Sequence, residues 1–461
     1  MSEEATLDEF AEREEENTNQ QDNERHLPEI DEIPSDWRLV VVEDIAEDLI
    51  GGGTPSKSNE KYWGGRIPWA SVKDLNGIEL SETEDYITES GIENSATNLI
   101  PKNSIVVSTR MTVGEPFVNR REMAINQDMK AIIPDVEQVN PLFLIYSLWD
   151  KDPYLKSLGR GTTVDGITTK DLALTHLGLP SLSEQRKIAT VLYTVDRAIE
   201  KTEEVESQAR RTQKGIVQET LQYGLGESDI SETGTKLGEI PAHWELTTID
   251  EIVADEDHSF TDGARSTLSS AEIHDEGEAR AILLQEVGEG EFNDEDPKFA
   301  TAEKYEEITH RAIYPGEVVV AKMAEPVARA CIVPDKYDKY LLGCADVVRV
   351  QTNDEFDSRF LMYCMNSHKV WRQAVAHLRG TGRSRINLEN IAELKLPKPP
   401  LDEQIEIADA LKTFDDRIQT EREYRESLRR LKRGLMQDLL SGTVRTTDTN
   451  IEVPDKIAQH G

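Results

Sequence analysis

The chain carries one long pattern twice. Residues from Gly161 and residues from Gly380 align without a gap at an offset of 219. The pairing sets Gly161 with Gly380, Thr162 with Thr381, Leu182 with Leu401 and Glu184-Gln185 with Glu403-Gln404. It continues through Ile188/Ile407, Leu192/Leu411, Asp196/Asp415, Ile199/Ile418, Gly215/Gly434 and Leu221/Leu440. An earlier motif repeats as well. Ile33-Pro34-Ser35-Asp36-Trp37 matches Ile240-Pro241-Ala242-His243-Trp244 at an offset of 207, so the middle of the second copy holds twelve more residues. Two long units mean a duplicated domain rather than a solenoid, which needs at least three stacked repeats. A constant frame around a drifting centre suggests one scaffold with two variable tasks.

Each copy ends in a helix. Ile188, Leu192, Val195 and Ile199 fall at 4-3-4 spacing, and Ile407, Leu411, Phe414 and Ile418 repeat it; Leu428, Leu431, Leu435 and Leu439 follow. This is a coiled-coil stripe. Helices of about 40 residues run roughly 60 Å. A face of the helix's own globular unit is one partner for such a stripe. The simpler partner is the twin helix, because two related stripes make a self-complementary, pseudo-two-fold and therefore antiparallel pair. Thr202-Glu203-Glu204 and Thr420-Glu421-Arg422 interrupt the stripes, so a thin, partly solvated centre is expected.

The remaining segments follow. Residues 1–27 form an acidic tail of disordered composition, and 28–180 a first globular unit with short β-branched strands such as Ser104–Ser108. Residues 181–222 are the first helix, 223–239 a Gly/Ser/Thr-rich linker, 240–398 the second unit, 399–441 the second helix and 442–461 a C-terminal tail. Asn140 before Pro141-Leu142-Phe143 reads as a helix cap. The fold class is α+β, with two duplicated domains of mixed sheets joined by two long antiparallel helices.

Charge is the odd feature. The net is −37, from 89 acidic and 52 basic residues, and thirteen Asp/Glu against two Arg lie in residues 1–32. Nucleic-acid binders usually show a basic footprint. An acidity spread so widely points to adaptation to a salt-rich solvent, with phosphate contacts left to a few basic loops. No apolar run reaches membrane-spanning length. The N-terminus lacks the basic start and apolar core of a signal peptide, so a cytoplasmic protein is expected. Cys331, Cys344 and Cys364 lack C-x-x-C spacing, which favours free thiols over disulfides or structural zinc.

No catalytic constellation stands out. Gly51-Gly52-Gly53-Thr54-Pro55 is not a P-loop, which needs G-x-x-x-x-G-K-[ST]. Trp63 and Trp69 could stack on bases, though core packing is the commoner fate of tryptophan. Asn140-Pro141-Leu142-Phe143 lacks the second proline of the adenine methyltransferase motif. Basic residues gather in loops instead. Arg110, Arg120 and Arg121 lie near one strand end of the first unit and Arg160 precedes the Gly-Thr turn. Arg372 and the run Arg379-Gly380-Thr381-Gly382-Arg383-Ser384-Arg385 follow in the second. Glycines allow close backbone approach, and arginines hold phosphate or read guanine.

Taken together, Gly52–Pro55 with Tyr62-Trp63 and Ile67-Pro68-Trp69, both Ile-Pro-x-x-Trp starts, both Gly-Thr turns, and Pro180–Gln185 with Pro399–Gln404 resemble the specificity subunit of type I restriction-modification systems. The resemblance covers about residues 28–441. It implies two target-recognition domains, each reading half of a split double-stranded DNA sequence, held apart by two antiparallel helices. It also implies two modification (methyltransferase) subunits and further restriction subunits as partners. S-adenosylmethionine, ATP and magnesium would sit on those partners, and no cofactor or metal on this chain. The candidate DNA contacts are Lys57, Lys61, Arg66, Lys73, Arg110, Arg160, Lys322, Arg372, Arg379, Arg383 and Arg385. The candidate helix-pairing and subunit-binding residues are Ile188, Leu192, Val195, Ile199, Ile407, Leu411, Phe414 and Ile418. The second copy departs from Gly-Gly-Thr-Pro, with Thr261-Asp262-Gly263 nearest to it, so its first loop is expected to differ in shape. Rival readings are a coiled-coil adaptor that never touches DNA and a stand-alone methyltransferase or nuclease.

Overall fold

The computed structural model describes residues 33–75, 77–110, 112–159, 166–226, 228–263, 268–378 and 385–458. The acidic tail expected over residues 1–27 lies outside them. The chain forms two compact units. One takes the chain up to Thr202 and again from Tyr424; the other takes Glu203–Glu423. Both long helices are therefore divided between the units, and the divisions fall at the polar interruptions of their stripes.

In the first unit, β1 (Arg38–Val41) pairs antiparallel with β11 (His176–Leu179). This pairing brings the Ile-Pro-x-x-Trp start back beside the long helix. A five-stranded sheet runs in the order β2 (Ala46–Gly51), β10 (Met129–Pro134), β7 (Ile105–Ser108), β8 (Pro116–Asn119), β4 (Glu79–Leu80). A second sheet runs β5 (Asp85–Ile87), β3 (Trp63–Ala70), β9 (Met123–Ile125), β6 (Leu99–Ile100). Each contains one parallel pair among antiparallel ones, so both are mixed. Strands β7, β8 and β9 are buried throughout, which explains their continuous apolar runs where a half-exposed strand would alternate. Helix α1 (Pro141–Asp150) is capped by the Asn140 side chain, which accepts from the N–H groups of Leu142 (3.1 Å) and Phe143 (3.2 Å).

The second unit repeats this plan. Strands β14 (Glu245–Thr248) and β23 (Lys395–Lys398) pair as β1 and β11 do. One sheet runs β15 (Phe260–Asp262), β22 (Val347–Val350), β19 (Val318–Ala321), β20 (Ala330–Ile332). The other runs β17 (Phe299–Ala300), β16 (Ala279–Ile282), β21 (Tyr340–Leu342), β18 (Ala312–Ile313). Helix α3 (Ser358–Met365) is capped by Asp357. The residues read as a loose linker carry structure: β12 (Ile230–Glu232) pairs with β13 (Glu239–Pro241).

The repeated Pro-x-Leu-x-Glu-Gln motif opens α2 (Leu182–Tyr223, 42 residues) and α4 (Leu401–Leu440, 40 residues). Its glutamine locks the helix to the globular unit. Gln185 donates to the carbonyls of Pro180 (2.9 Å) and Gln138 (3.0 Å) and accepts from the N–H of Asn140 (2.8 Å). Gln404 donates to Pro399 (2.9 Å) and Glu355 (3.1 Å) and accepts from Asp357 (2.9 Å). All of these groups are buried or half-buried, so losing the amide would strand backbone partners.

Within each unit the two helix segments run antiparallel. In the second, Glu206 meets Arg422 (3.0 Å) and Gln213 meets Asp415 (2.6 Å), so numbers rise on one helix as they fall on the other. In the first, Lys432 meets Asp196 (2.6 Å), and Leu439 shares a core with Ile188 and Leu192. Each unit adds a tyrosine from its short helix. Tyr146 donates to Asp196 (2.7 Å), and Tyr363 donates to Asp415. Burial and these aspartates push both phenols above their usual range.

The apolar stripe serves two surfaces, not one. Ile188 and Leu192 sit in the globular core beside Phe143 and Ile145, and Ile407 and Leu411 sit in its counterpart beside Phe360 and Leu361. Ile199 and Ile418 are buried, whereas Val195 and Phe414 are half-buried and Leu431 is exposed. In their first turns the stripes meet both partners at once, the globular unit and the end of the twin helix, with Leu439 in the first core and Leu221 in the second. The C-terminal residues do not hang free either. Arg445 binds Glu184 (2.8 Å) and Asp36 (2.6 Å), Lys187 donates to three carbonyls between Thr446 and Thr449, and Ile457 is buried in the first core. Among the described residues no helix is long and apolar enough to cross a membrane. The three cysteines are unpaired.

Candidate nucleic-acid interface

One end of each unit is built the same way. In the first, Gly52 and Gly53 follow β2 and pass close under the chain. A Cβ on Gly52 would collide with the carbonyl oxygen of Asn126, and one on Gly53 with that of Ala96. Their N–H groups bond to the carbonyls of Met129 (3.3 Å) and Ile125 (2.9 Å). These glycines serve close packing, and their donors are already used, which removes the phosphate-cradle reading. The Trp69 indole donates to the carbonyl of Gly53 (2.9 Å) and is buried, with Trp63 edge-on at 5.1 Å. Trp69 is thus a core residue that pins the loop. The Thr54 hydroxyl donates to Gln127. In the second unit, a Cβ on Gly263 would collide with the carbonyl of Cys344, which holds the place of Asn126 in the repeat. Gly263 therefore plays the part of Gly52, and the missing Gly-Gly-Thr-Pro changes the loop without changing this crossing.

The segment after each Gly-Thr turn makes a single β-bridge to the hairpin between the two central strands. The bridge is Arg110 to Gly166 in the first unit and Met323 to Arg385 in the second. Gly166 and Arg385 are equivalent in the repeat. Next to each bridge an aspartate precedes the central strand. Asp128 takes Arg110 (3.5 Å) and Asp346 takes Arg385 (2.9 Å). The arginine has changed sides of the bridge while its carboxylate has stayed. Both arginines remain accessible, with side chains 61% and 43% exposed, so each can turn from its aspartate to an anion.

The other basic candidates divide. Lys57 and Lys61 are exposed just beyond Pro55, near this end. Lys73 is exposed in the short helical turn Val72–Asp74. Arg66 is exposed elsewhere, lining a depression of about 700 Å³ with Lys102, Arg120 and Arg121. Arg372 is exposed on the helix His368–Ala376. Lys322 is the correction. It is 4% exposed and its ammonium is bound to Asp262, so it acts inside the fold. Arg160, Arg379 and Arg383, with the Gly-Thr turns, lie outside the described residues. Sequence reasoning missed Asp128 and Asp346; their matched positions ahead of equivalent strands were the available signal.

Comparison with known proteins agrees with this duplicated plan. The family model for the type I restriction modification DNA specificity domain matches residues 34–208 and 262–430. The type I restriction enzyme MjaVIII specificity subunit of Methanocaldococcus jannaschii is 23% identical over 428 residues, 91% of this chain and 95% of its own length. The EcoR124I/EcoR124II specificity subunit of Escherichia coli is 33% identical over 153 residues, 32% of this chain and 38% of its own. The S subunit of a type I restriction-modification system from M. genitalium has the same fold. It superposes with a TM-score of 0.55 at 15% identity, covering 90% of this chain and 98% of its own.

Proposed function

Since this chain belongs to the type I restriction modification DNA specificity family, we propose that each unit reads one half of a bipartite double-stranded DNA target through the end that carries the glycine crossing and the Asp–Arg pair. The recurrence of that end in both copies supports this reading more than any other observation. The chain is a specificity subunit without a catalytic role of its own; two modification subunits and the restriction subunits assemble with it and hold S-adenosylmethionine, ATP and magnesium. The target-recognition domains correspond to residues 28–180 and 240–398, and the helices between and after them form the frame for the partners. The working compartment is the cytoplasm, where the three thiols stay reduced.

The test is methylation by the complex assembled with its modification subunits, read by sequencing modified adenines. A motif of two fixed halves around an unspecified gap is expected. An undivided motif, or none, would leave the adaptor reading in its place. In the same assay Arg110→Ala should weaken binding through the first half-site and Arg385→Ala through the second. Each should cost about 1–3 kcal/mol if the arginine reads a base. Affinity unchanged from wild type for both variants at matched salt would remove these residues from the interface.

A further inference from the structure

The hairpin joining β19 to β20 in the second unit is held in an unusual way. Its counterpart in the first unit turns through Gly114, whose φ is +89°. The second hairpin has no glycine. It places Ala324 (φ +63°) and Ala328 (φ +62°) in the left-handed region, at a steric cost that glycine would avoid. Residues held so persist only where their surroundings fix them, and they cluster at binding sites.

What fixes this hairpin is Arg329. Its Nη1 donates to the carbonyls of Met323 (3.0 Å), Pro326 (3.3 Å) and Ala324 (3.4 Å). Its Nε and Nη2 donate to Val287 (2.6 Å) and Leu284 (3.2 Å), in the segment after β16. One guanidinium thus ties the turn to itself and to the neighbouring sheet. Val327 is buried in the core, and the Glu325 carboxylate accepts from the Trp371 indole (3.2 Å). Ala324 and Glu325 are left exposed, next to the Met323–Arg385 bridge.

The hairpin's two cations are spent inside the fold, Lys322 on Asp262 and Arg329 on carbonyls. It is not built to hold phosphate. What it offers is a rigid edge with a methyl group and a carboxylate, groups that contact a thymine methyl and accept from cytosine N4. We infer that the Met323–Arg329 hairpin determines base preference in the second half-site, and that Arg329 is its positioning residue. The inference rests on the DNA-reading assignment above.

The assembled methyltransferase can be offered a library of randomised sites, comparing wild type with Arg329→Lys, Ala328→Gly and Glu325→Gln. Discrimination at one or more positions of the second half-site should fall about tenfold. Preference in the first half-site and the slope of affinity against salt should not change, because no phosphate contact is lost. A uniform loss of methylation with both preferences intact would give Arg329 a merely structural role and overturn the inference. If Arg329→Lys does not assemble, the other two variants decide, and an unaltered second half-site in both overturns it. A wild-type complex with no second half-site would instead overturn the assignment beneath it.

Discussion

Glu184 and Glu403 occupy one position of the repeat and close different joints. Glu403 accepts from the Trp244 indole and from His243, both at 3.0 Å. Glu184, almost wholly buried, accepts two bonds of 2.8 Å from Arg445, which also binds Asp36. Glu403 ties the start of its helix to the Ile-Pro-x-x-Trp motif that opens the same unit; Glu184 takes an arginine more than 250 positions away and so fastens the C-terminal segment. Removing Arg445 leaves a buried carboxylate short of its charged donor. Arg445→Ala should therefore lower stability at pH 7 by about 2 kcal/mol, the scale of a hydrogen bond to a charged group. The Arg445 guanidinium holds the Glu184 carboxyl below its ordinary value of 4.5. A depressed carboxylate stabilises the fold above its unfolded value and loses that contribution as pH falls through the folded one. The gap between wild type and Arg445→Ala should thus be full at neutral pH and shrink below about pH 4.5. Urea midpoints at several pH values measure it, and coincident midpoints at pH 7 would show that the clasp carries no weight.

At the scale of elements, the two copies differ where the short helix meets the long ones. Near the end of α1, Trp149 packs against the same core as Met436 and Leu440, with the Lys432 ammonium 3.9 Å from its ring centre. The second copy has Asn366 for Trp149, Gln213 for Lys432 and Val217 for Met436, and there a cavity of about 490 Å³ opens. Asn366 is committed, exchanging two hydrogen bonds with the Ala330 backbone at the edge of β20. Val217 is not, so Val217→Met should fill part of the space and raise stability by about 1 kcal/mol. A lower melting temperature for that variant would mean the space closes by itself in solution. None of this was legible in the sequence, because a cavity depends on which side chains face one another. The frame was legible: the Asn140 cap, the two helix starts and the short β-branched strands each rest on short-range chemistry. The partner of the stripe was not, since helical spacing marks a buried face without saying what buries it. Ile188 and Leu431 carry the same signal, yet one is in the core and the other is half exposed. Lys322 misled for the same reason, as its partner Asp262 lies 60 positions away. The Ile230–Glu232 and Glu239–Pro241 pairing was hidden in a stretch whose composition suits a linker.

For the molecule as a whole, the problem is a DNA reader with a net charge of −37. The two arginines proposed for its DNA interface, Arg110 and Arg385, are held by aspartates at 3.5 and 2.9 Å, and exposed pairs of this kind are worth little and are screened by salt. Salt then acts in two opposed directions. It weakens arginine–phosphate contacts, the usual monotonic loss. It also damps the repulsion between an acidic surface and DNA and loosens the arginines from their aspartates. With 89 acidic against 52 basic residues, the second effect is expected to dominate at low ionic strength, so sequence-specific methylation by the assembled complex should rise with salt before it falls. Highest activity below about 0.1 M, where screening already reaches only ~10 Å, would contradict this. The N-terminal residues give a sharper version. Residues 1–32 hold thirteen carboxylates against two arginines, so removing them strips a large share of the excess charge while leaving Arg110 and Arg385 in place. The truncated protein should assemble, methylate the same sequence, and reach its maximum at lower salt than the full chain. A maximum that stays at the same salt concentration would assign the repulsion to the folded surface and leave the acidic segment no part in it.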